Sequence, residues 1–386
     1  MSRTLIVTND FPPRQGGIET FASEMARRFP PESIVVYTSA ERGAAAYDAS
    51  LPFPVIRDRS RTLLPTGRVM RKAGLIALEH DCDTAWIAAA APLGLIAPAL
   101  RACGVKRVVA TTHGHETWWA KVPLTRWGLR TIGRWVDVMT YISGHTYRAI
   151  LPAVTPDTTL VRLSPGVDVE QFTPAHSSAT DPGPSSDGNC GVIVCTARLV
   201  PRKGQDSLIR ALPAVLERHP DTKLLLVGDG PDRRRLQRLT RTKGVETSVT
   251  FVGGLPHALV PQILANATIF AMPCRTRRLG LEEEGLGIAY LEASAMGLPI
   301  IVGDSGGAPE TVQAGHTGYV VTDVEQLTQA IVELLDNPAR ARAMGECGRN
   351  WVAAQWTWHA AYATLLAALF PNVDVNGQDR SSAPQH

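Results

Sequence analysis

Residues 192–218 read VIVCTARLVPRKGQDSLIRALPAVLER, and this stretch decides the fold. Its first five residues form a short apolar run rich in β-branched side chains, as expected of a strand buried on both faces. From 205 to 218 the apolar positions Leu208, Leu212 and Val215 recur at steps of four and three, the spacing of a helix. The loop between them is stiffened by Pro201 and carries Arg198, Arg202 and Lys203. A strand that leads through a basic loop into a helix is one unit of a parallel α/β sheet.

The same alternation runs outward in both directions. Apolar runs at 5–8, 34–37, 85–89, 108–112 and 138–142 read as strands of a first sheet. Those at 192–196, 224–227, 249–252, 269–272 and 300–302 read as strands of a second. The predicted architecture is α/β, with two Rossmann-like domains facing across a cleft. The first covers 1–172 and is completed by a C-terminal helix at 357–370. A linker dominated by Pro, Ser, Ala, Gly, Asp and Thr spans 173–190, the second domain covers 191–356, and a polar tail at 371–386 is expected to be disordered. A chain of 386 residues suits two domains of ~150–200 residues each.

Composition narrows the function classes. At 44% hydrophobic and 19% charged residues, a chain disordered throughout, a collagen-like repeat and a coiled coil are excluded. A formal net charge of +3 gives no reason to expect nucleic acid. Residues 1–170 nevertheless hold 20 Lys+Arg against 15 Asp+Glu, and the remainder 19 against 21, so the basic excess lies in the first half. The six cysteines form no C-x-x-C pair, which suggests reduced thiols and a cytosolic chain. The amino terminus has too short an apolar run for a signal peptide. The longest uncharged stretch, 84–100, is 17 residues interrupted by Pro92 and Pro98, short of the ~20 that a membrane span needs.

In open parallel sheets, ligands bind beyond the carboxyl ends of the strands. After the first strand comes NDFPPRQGGIE at 9–19, where Gly16 and Gly17 either let the backbone approach a ligand at a helix start or make an ordinary turn. After 108–112 comes His113-Gly114-His115-Glu116; His113, nearest the strand, is favoured to face the cleft, and a metal reading lacks a third ligand nearby. Arg198, Arg202 and Lys203 at one strand end suit a diphosphate, although basic loop residues are more often solvated surface. Gly228-Asp229-Gly230 starts a G-x-G-x-x-G pattern, but Arg233 stands at the third glycine, so a dinucleotide fingerprint is weak. Of Glu282, Glu283 and Glu284, only Glu284 has a second Glu eight positions on, Glu292. Two such carboxylates could hold the hydroxyls of a hexose and a ribose, or simply cap a helix and face solvent. The apolar neighbours favour a buried helix, in which Glu292 is costly unless paired or liganded. Asp81-Cys82-Asp83 precedes its strand and so lies at the wrong end of the sheet for a metal-chelating site.

From Gly16-Gly17 through His113 and Arg198-x4-Lys203 to Glu284-x7-Glu292, the chain resembles the retaining glycosyltransferases of GT-B family 4. The segments TNDFPPRQGGIE, THGHE, RLVPRKGQDSLI, FAMPCRTR, EGLGIAYLEA and GGAPETV are similar to its actinobacterial branch that adds mannose from GDP-mannose, in α-1,6 linkage, to the inositol of phosphatidyl-myo-inositol monomannoside. The resemblance implies a GDP-mannose donor, a glycolipid acceptor, no cofactor and no metal. It implies that Arg198 and Lys203 hold the diphosphate and Glu292 the ribose. Glu284 and the backbone of Gly285, Leu286, Gly287 and Ile288 would hold the transferred hexose beside His113. Gly17 would approach the phosphates and Gly254 and Leu255 would border the base. It implies also a cytoplasmic chain, peripheral on the inner face of the cell membrane. In the stretch Ser164-Pro165-Gly166-Val167-Asp168 many relatives carry Asn before the Gly, and this departure leaves Asp168 without an assigned role.

Membrane contact has a candidate of its own: Arg57, Arg59, Arg61, Arg68, Arg71 and Lys72 surround apolar residues and could dock on anionic lipid, or form a solvated basic face. An NAD-type oxidoreductase, a nucleotide-sugar epimerase and a non-catalytic membrane-binding protein of the same fold rank below glycosyl transfer.

Overall fold

The computed structural model describes residues 2–14, 16–174 and 191–371. It divides into two compact units, one of 1–165 with 358–386 and one of 166–357. Most of the expected linker, at 175–190, and the tail from 372 lie outside the described residues.

The first unit holds a sheet of β1 (Arg3–Thr8), β2 (Ile34–Thr38), β3 (Val55–Arg57), β4 (Cys82–Ile87), β5 (Arg107–Thr112), β6 (Val138–Tyr141) and β7 (Thr159–Arg162). All neighbours are parallel, in the order β3-β2-β1-β4-β5-β6-β7. The second unit repeats this plan with β8 (Val192–Thr196), β9 (Lys223–Val227), β10 (Val249–Gly253), β11 (Ile269–Met272), β12 (Ile300–Gly303) and β13 (Gly318–Val321), in the order β10-β9-β8-β11-β12-β13. Both are doubly wound sheets. The strand order reverses between β1 and β4 and between β8 and β11, where adjacent loops diverge to opposite faces and leave a crevice.

Nearly every residue of β1, β2, β8 and β11 is buried, because helices cover both faces of each sheet. All ten strands read from sequence are present. The sequence reading has no β3, β7 or β13. Each lies at a sheet edge and is three or four residues long, so it lacks the continuous apolar run that marks a central strand.

The Trp358–Leu369 helix belongs to the first unit. Trp358 lies 6.0 Å from the Phe21 ring, Tyr362 lies 5.0 Å from Phe29, and Arg107 donates to the Ala368 carbonyl. Residues 166–172, which the sequence reading carries with the first domain, cluster with the second unit instead. The Val167 N–H bonds the Trp356 carbonyl at 2.8 Å, and Arg349 donates to the Phe172 carbonyl at 3.0 Å. Hydrogen bonds between residues almost two hundred positions apart leave no trace in composition, which is why the boundary shifts.

No helix among the described residues is long and apolar enough to cross a membrane. The five described cysteines are free.

Candidate active site

The second unit builds its site at the β8–β11 reversal. Beyond β8 the loop turns through a short 3-10 segment, Pro201–Lys203, into the Gln205–Arg218 helix. Gly204 joins the two with φ +77°, and its missing side chain lets the loop lie on the end of β11. A Cβ there would fall 1.9 Å from the Pro273 carbonyl oxygen. Buried Leu199 pins the other side of the loop, donating to the Asp229 carbonyl at 2.9 Å and accepting from the Asp232 N–H at 3.1 Å. The Gly228-x-Gly230 pair therefore has a packing role. Added Cβ atoms would stand 2.2 Å from the Ala197 carbonyl oxygen and 2.3 Å from that of Leu199.

Glu284, in the loop after β11, meets this basic loop. Its Oε2 lies 2.8 Å from Lys203 Nζ and 2.5 Å from Arg202 Nη1. Burial alone would push its carboxyl up. The two cations outweigh burial and hold it below the ordinary carboxylate range. The Glu284 carbonyl is fixed by the Gly307 N–H at 2.9 Å, and Gly306 permits this approach, since a Cβ there would come within 2.0 Å of the same oxygen.

The following helix, Ile288–Ala295, starts at Gly287 with φ +94°, so Gly285 and Leu286 stay in the loop. Glu292 is thereby about one turn inside the helix. It is buried, and its Oε1 lies 2.7 Å from Nε2 of His257. His257 follows the loop of Gly254 and Leu255 beyond β10, and its ring stands 5.5 Å from Phe172. Sequence reasoning missed His257. The requirement that a buried Glu292 have a partner was its one signal, and nothing in the spacing of the chain names residue 257.

The structure thus brings Arg202, Lys203 and Glu284 together and places Glu292 on the helix that follows. Arg198 is exposed, and its carbonyl accepts from Gln205 Nε2 at 3.2 Å; its side chain does not join the Glu284 cluster. Two cations beside a strand end can take an anion, and two carboxylates beyond them can accept hydroxyl protons.

In the first unit, β1, β4 and β5 converge on His113. Its Nε2 bonds the Ala88 carbonyl beyond β4, its ring stands 5.2 Å from Phe21, and its N–H donates to Glu116 Oε2 at 2.9 Å. Burial lowers its pKa, so the ring is neutral near pH 7. With the proton on Nε2 facing the carbonyl, Nδ1 is the acceptor. Gly16 is closed around Glu19, whose Oε2 would lie 2.2 Å from an added Cβ, whereas a Cβ on Gly17 would meet nothing within 4 Å. Gly17 is the glycine with room for a ligand. Among the described residues no group of three His, Cys, Asp or Glu could hold a metal.

Two of the six cations read as a membrane contact are engaged inside the fold. Arg57 forks onto Asp48 at 2.8 Å through Nε and Nη2 and also donates to the carbonyls of Ser39 and Pro12. Arg68 forks onto buried Asp58 at 2.7 Å, and its hydrogen bonds are the largest influence holding that carboxyl far below its usual range. Arg59, Arg61, Arg71 and Lys72 remain exposed.

Glu284 sets a pH dependence. Its carboxyl has a lower pKa folded than the ~4.3 of a free Glu. The stability from its ion pairs is complete above that value and disappears as pH falls through the depressed one. In urea unfolding of the ligand-free chain, Glu284→Gln is expected to lose less stability than wild type below about pH 4. Parallel losses in the two proteins would contradict it.

Comparison with known proteins agrees with this layout. Residues 15–171 match the family described as Glycosyltransferase Family 4, and 181–351 match Glycosyl transferases group 1. The chain is 46% identical over 375 residues to the GDP-mannose-dependent alpha-(1-6)-phosphatidylinositol monomannoside mannosyltransferase of Mycolicibacterium smegmatis, covering 95% of this chain and 97% of that one. It is 47% identical over 363 residues to the GDP-mannose-dependent monoacylated alpha-(1-6)-phosphatidylinositol monomannoside mannosyltransferase of Corynebacterium glutamicum, covering 92% and 94%. Anabaena HepE, solved with UDP and glucose, shares the fold with a TM-score of 0.79 at 18% identity, over 96% of this chain and 99% of that one. On this likeness, spread over nearly its whole length, the chain belongs to the GT-B glycosyltransferases and, within them, to the family of the GDP-mannose-dependent phosphatidylinositol monomannoside mannosyltransferases.

Proposed function

We propose that this chain moves mannose from GDP-mannose to the inositol of phosphatidyl-myo-inositol monomannoside, with retention and in α-1,6 linkage, as a peripheral protein on the inner face of the membrane. The observation that supports it most directly is the meeting of Arg202, Lys203 and Glu284 at the β8–β11 reversal. Glu284 is a shared counter-charge for the two cations and leaves a net charge of +1 at this point. A diphosphate arriving there replaces that carboxylate as the counter-charge and frees it to accept hydroxyls of the hexose.

Arg198 and Lys203 then stabilise the charge that grows on the diphosphate as its bond to the mannose C1 breaks. The sugar passes through an oxocarbenium-like state. The leaving phosphate oxygen takes the proton of the acceptor hydroxyl, which bonds to C1 on the same face, and this gives retention. Glu292, oriented by His257, accepts from the ribose, and His113 Nδ1 accepts a hydroxyl of the bound sugar. Arg198, Arg202 and Lys203 supply the positive charge for which a divalent cation is otherwise recruited, so the reaction runs without metal. Arg59, Arg61, Arg71 and Lys72 hold the protein to anionic lipid.

The test is a panel of labelled nucleotide-sugars with phosphatidyl-myo-inositol monomannoside in membranes, with and without EDTA. Label is expected in a dimannoside from GDP-mannose only, undiminished by the chelator. Equal transfer from UDP-glucose, or release of sugar without an acceptor product, would overturn the donor and acceptor assignments, and loss in EDTA the metal-free chemistry.

A further inference from the structure

The helix Pro123–Trp135 has an outer face that the catalytic reading leaves unused. Inward, Leu129 and Ile132 are fully buried, with Gly128, Thr131 and Gly133 beside them. Outward, Leu124 is 79% exposed and Trp127 66%, between exposed Arg126, Arg130 and Arg134. Positions 123, 127, 130 and 134 fall on one stripe at helical spacing. No Asp or Glu occurs from 117 to 136. Beside the stripe lies a cleft of about 390 Å³, lined by both Arg130 and Arg134 together with Thr155 and Asp157. Such a large exposed Trp and Leu on a helix without acids is the composition of an interfacial helix, apolar tips at headgroup level and guanidiniums among phosphates.

We infer that this face docks on a bilayer of anionic phospholipid, with Trp127 and Leu124 entering the headgroup layer and Arg130 and Arg134 holding a lipid phosphate at the cleft. Charge complementarity selects this occupant over a second copy of the chain. A two-fold contact through the same face would set three arginines against their own copies. The inference rests on the reading that the acceptor is a lipid, and it assigns a surface separate from Arg71 and Lys72. The helix is also joined, through residues 114–122 with their short helix Glu116–Lys121, to the strand end that carries His113. Leu124, at the start of the helix, lies nearest that strand end, whereas Arg130, Arg134 and the cleft lie toward the opposite end of the sheet, where β6 and β7 begin.

The experiment is co-sedimentation of the full chain with phosphatidylcholine vesicles, with and without phosphatidylglycerol. Arg130→Gln/Arg134→Gln is expected to weaken binding to the anionic vesicles about fivefold per arginine, from ~1 kcal/mol per basic residue near the surface. Leu124→Ser/Trp127→Ser is expected to weaken it about tenfold or more. Both pairs are exposed, so the thermal midpoint and mannose transfer to a detergent-dispersed acceptor stay unchanged. The inference is overturned if wild type ignores phosphatidylglycerol, if neither pair weakens binding, or if only Arg71→Gln/Lys72→Gln does. Concentration-dependent self-association abolished by the same substitutions would overturn it in favour of a second copy. If wild type transfers no mannose yet both pairs still lose vesicle binding, the docking face stands and the donor and acceptor reading falls.

Discussion

Lys203→Ala is expected to lower kcat for mannose transfer by about 10²-fold or more, the loss typical of removing one contact to a developing oxyanion. Lys203 is largely buried, and its ammonium lies 2.8 Å from a carboxylate that is itself buried. In such surroundings a charge interaction is much stronger than at the surface. The charge on the leaving diphosphate grows only as the sugar bond breaks, so the loss falls on kcat more than on KM. Arg202 is more exposed, so Arg202→Ala should cost less. Steady-state kinetics with GDP-mannose measure both, and a Lys203→Ala enzyme close to wild type would remove the lysine from the mechanism.

Gly204→Ala has the largest expected effect on stability, about 3 kcal/mol or more. Two costs combine there. A left-handed φ of +77° strains any residue with a Cβ, and that Cβ would lie 1.9 Å from the Pro273 carbonyl oxygen, a backbone atom at the end of a buried strand. Gly244 separates the two costs. Its φ is +66°, but an added Cβ there meets nothing within 4 Å. Gly244→Ala should lose only about 1 kcal/mol, the strain alone. Equal losses in denaturant unfolding would show that the contact with Pro273 does not matter. Gly204→Ala should also reduce transfer, because the loop that carries Lys203 must move off β11.

The segments that bear the site were legible because each is local. A five-residue apolar strand, a glycine at the turn and a helical repeat report their own geometry, and the rule that ligands sit beyond strand ends then marks Arg202, Lys203, Glu284 and His113. The Glu284 and Glu292 pair stood out by its spacing within one loop and helix. Less local features were not legible. Arg57 and Arg68 look like free surface charges until Asp48 and Asp58 close on them. The side on which Trp127 stands is not legible either, since it depends on Leu129 and Ile132 of the same helix packing inward.

The alternation of strands and helices, the two-domain size and the residue types at each strand end were determined by the sequence alone, because backbone periodicity and side-chain chemistry are properties of short segments. Tertiary structure decided which ends meet. Lys203 and Glu284 are 81 positions apart, and Glu292 and His257 are 35 apart. The reversal of strand order between β8 and β11 puts the first pair in one crevice, and the loop beyond β10 carries His257 to the second. Both depend on how parallel strands are ordered in a sheet, and no window along the chain contains that order.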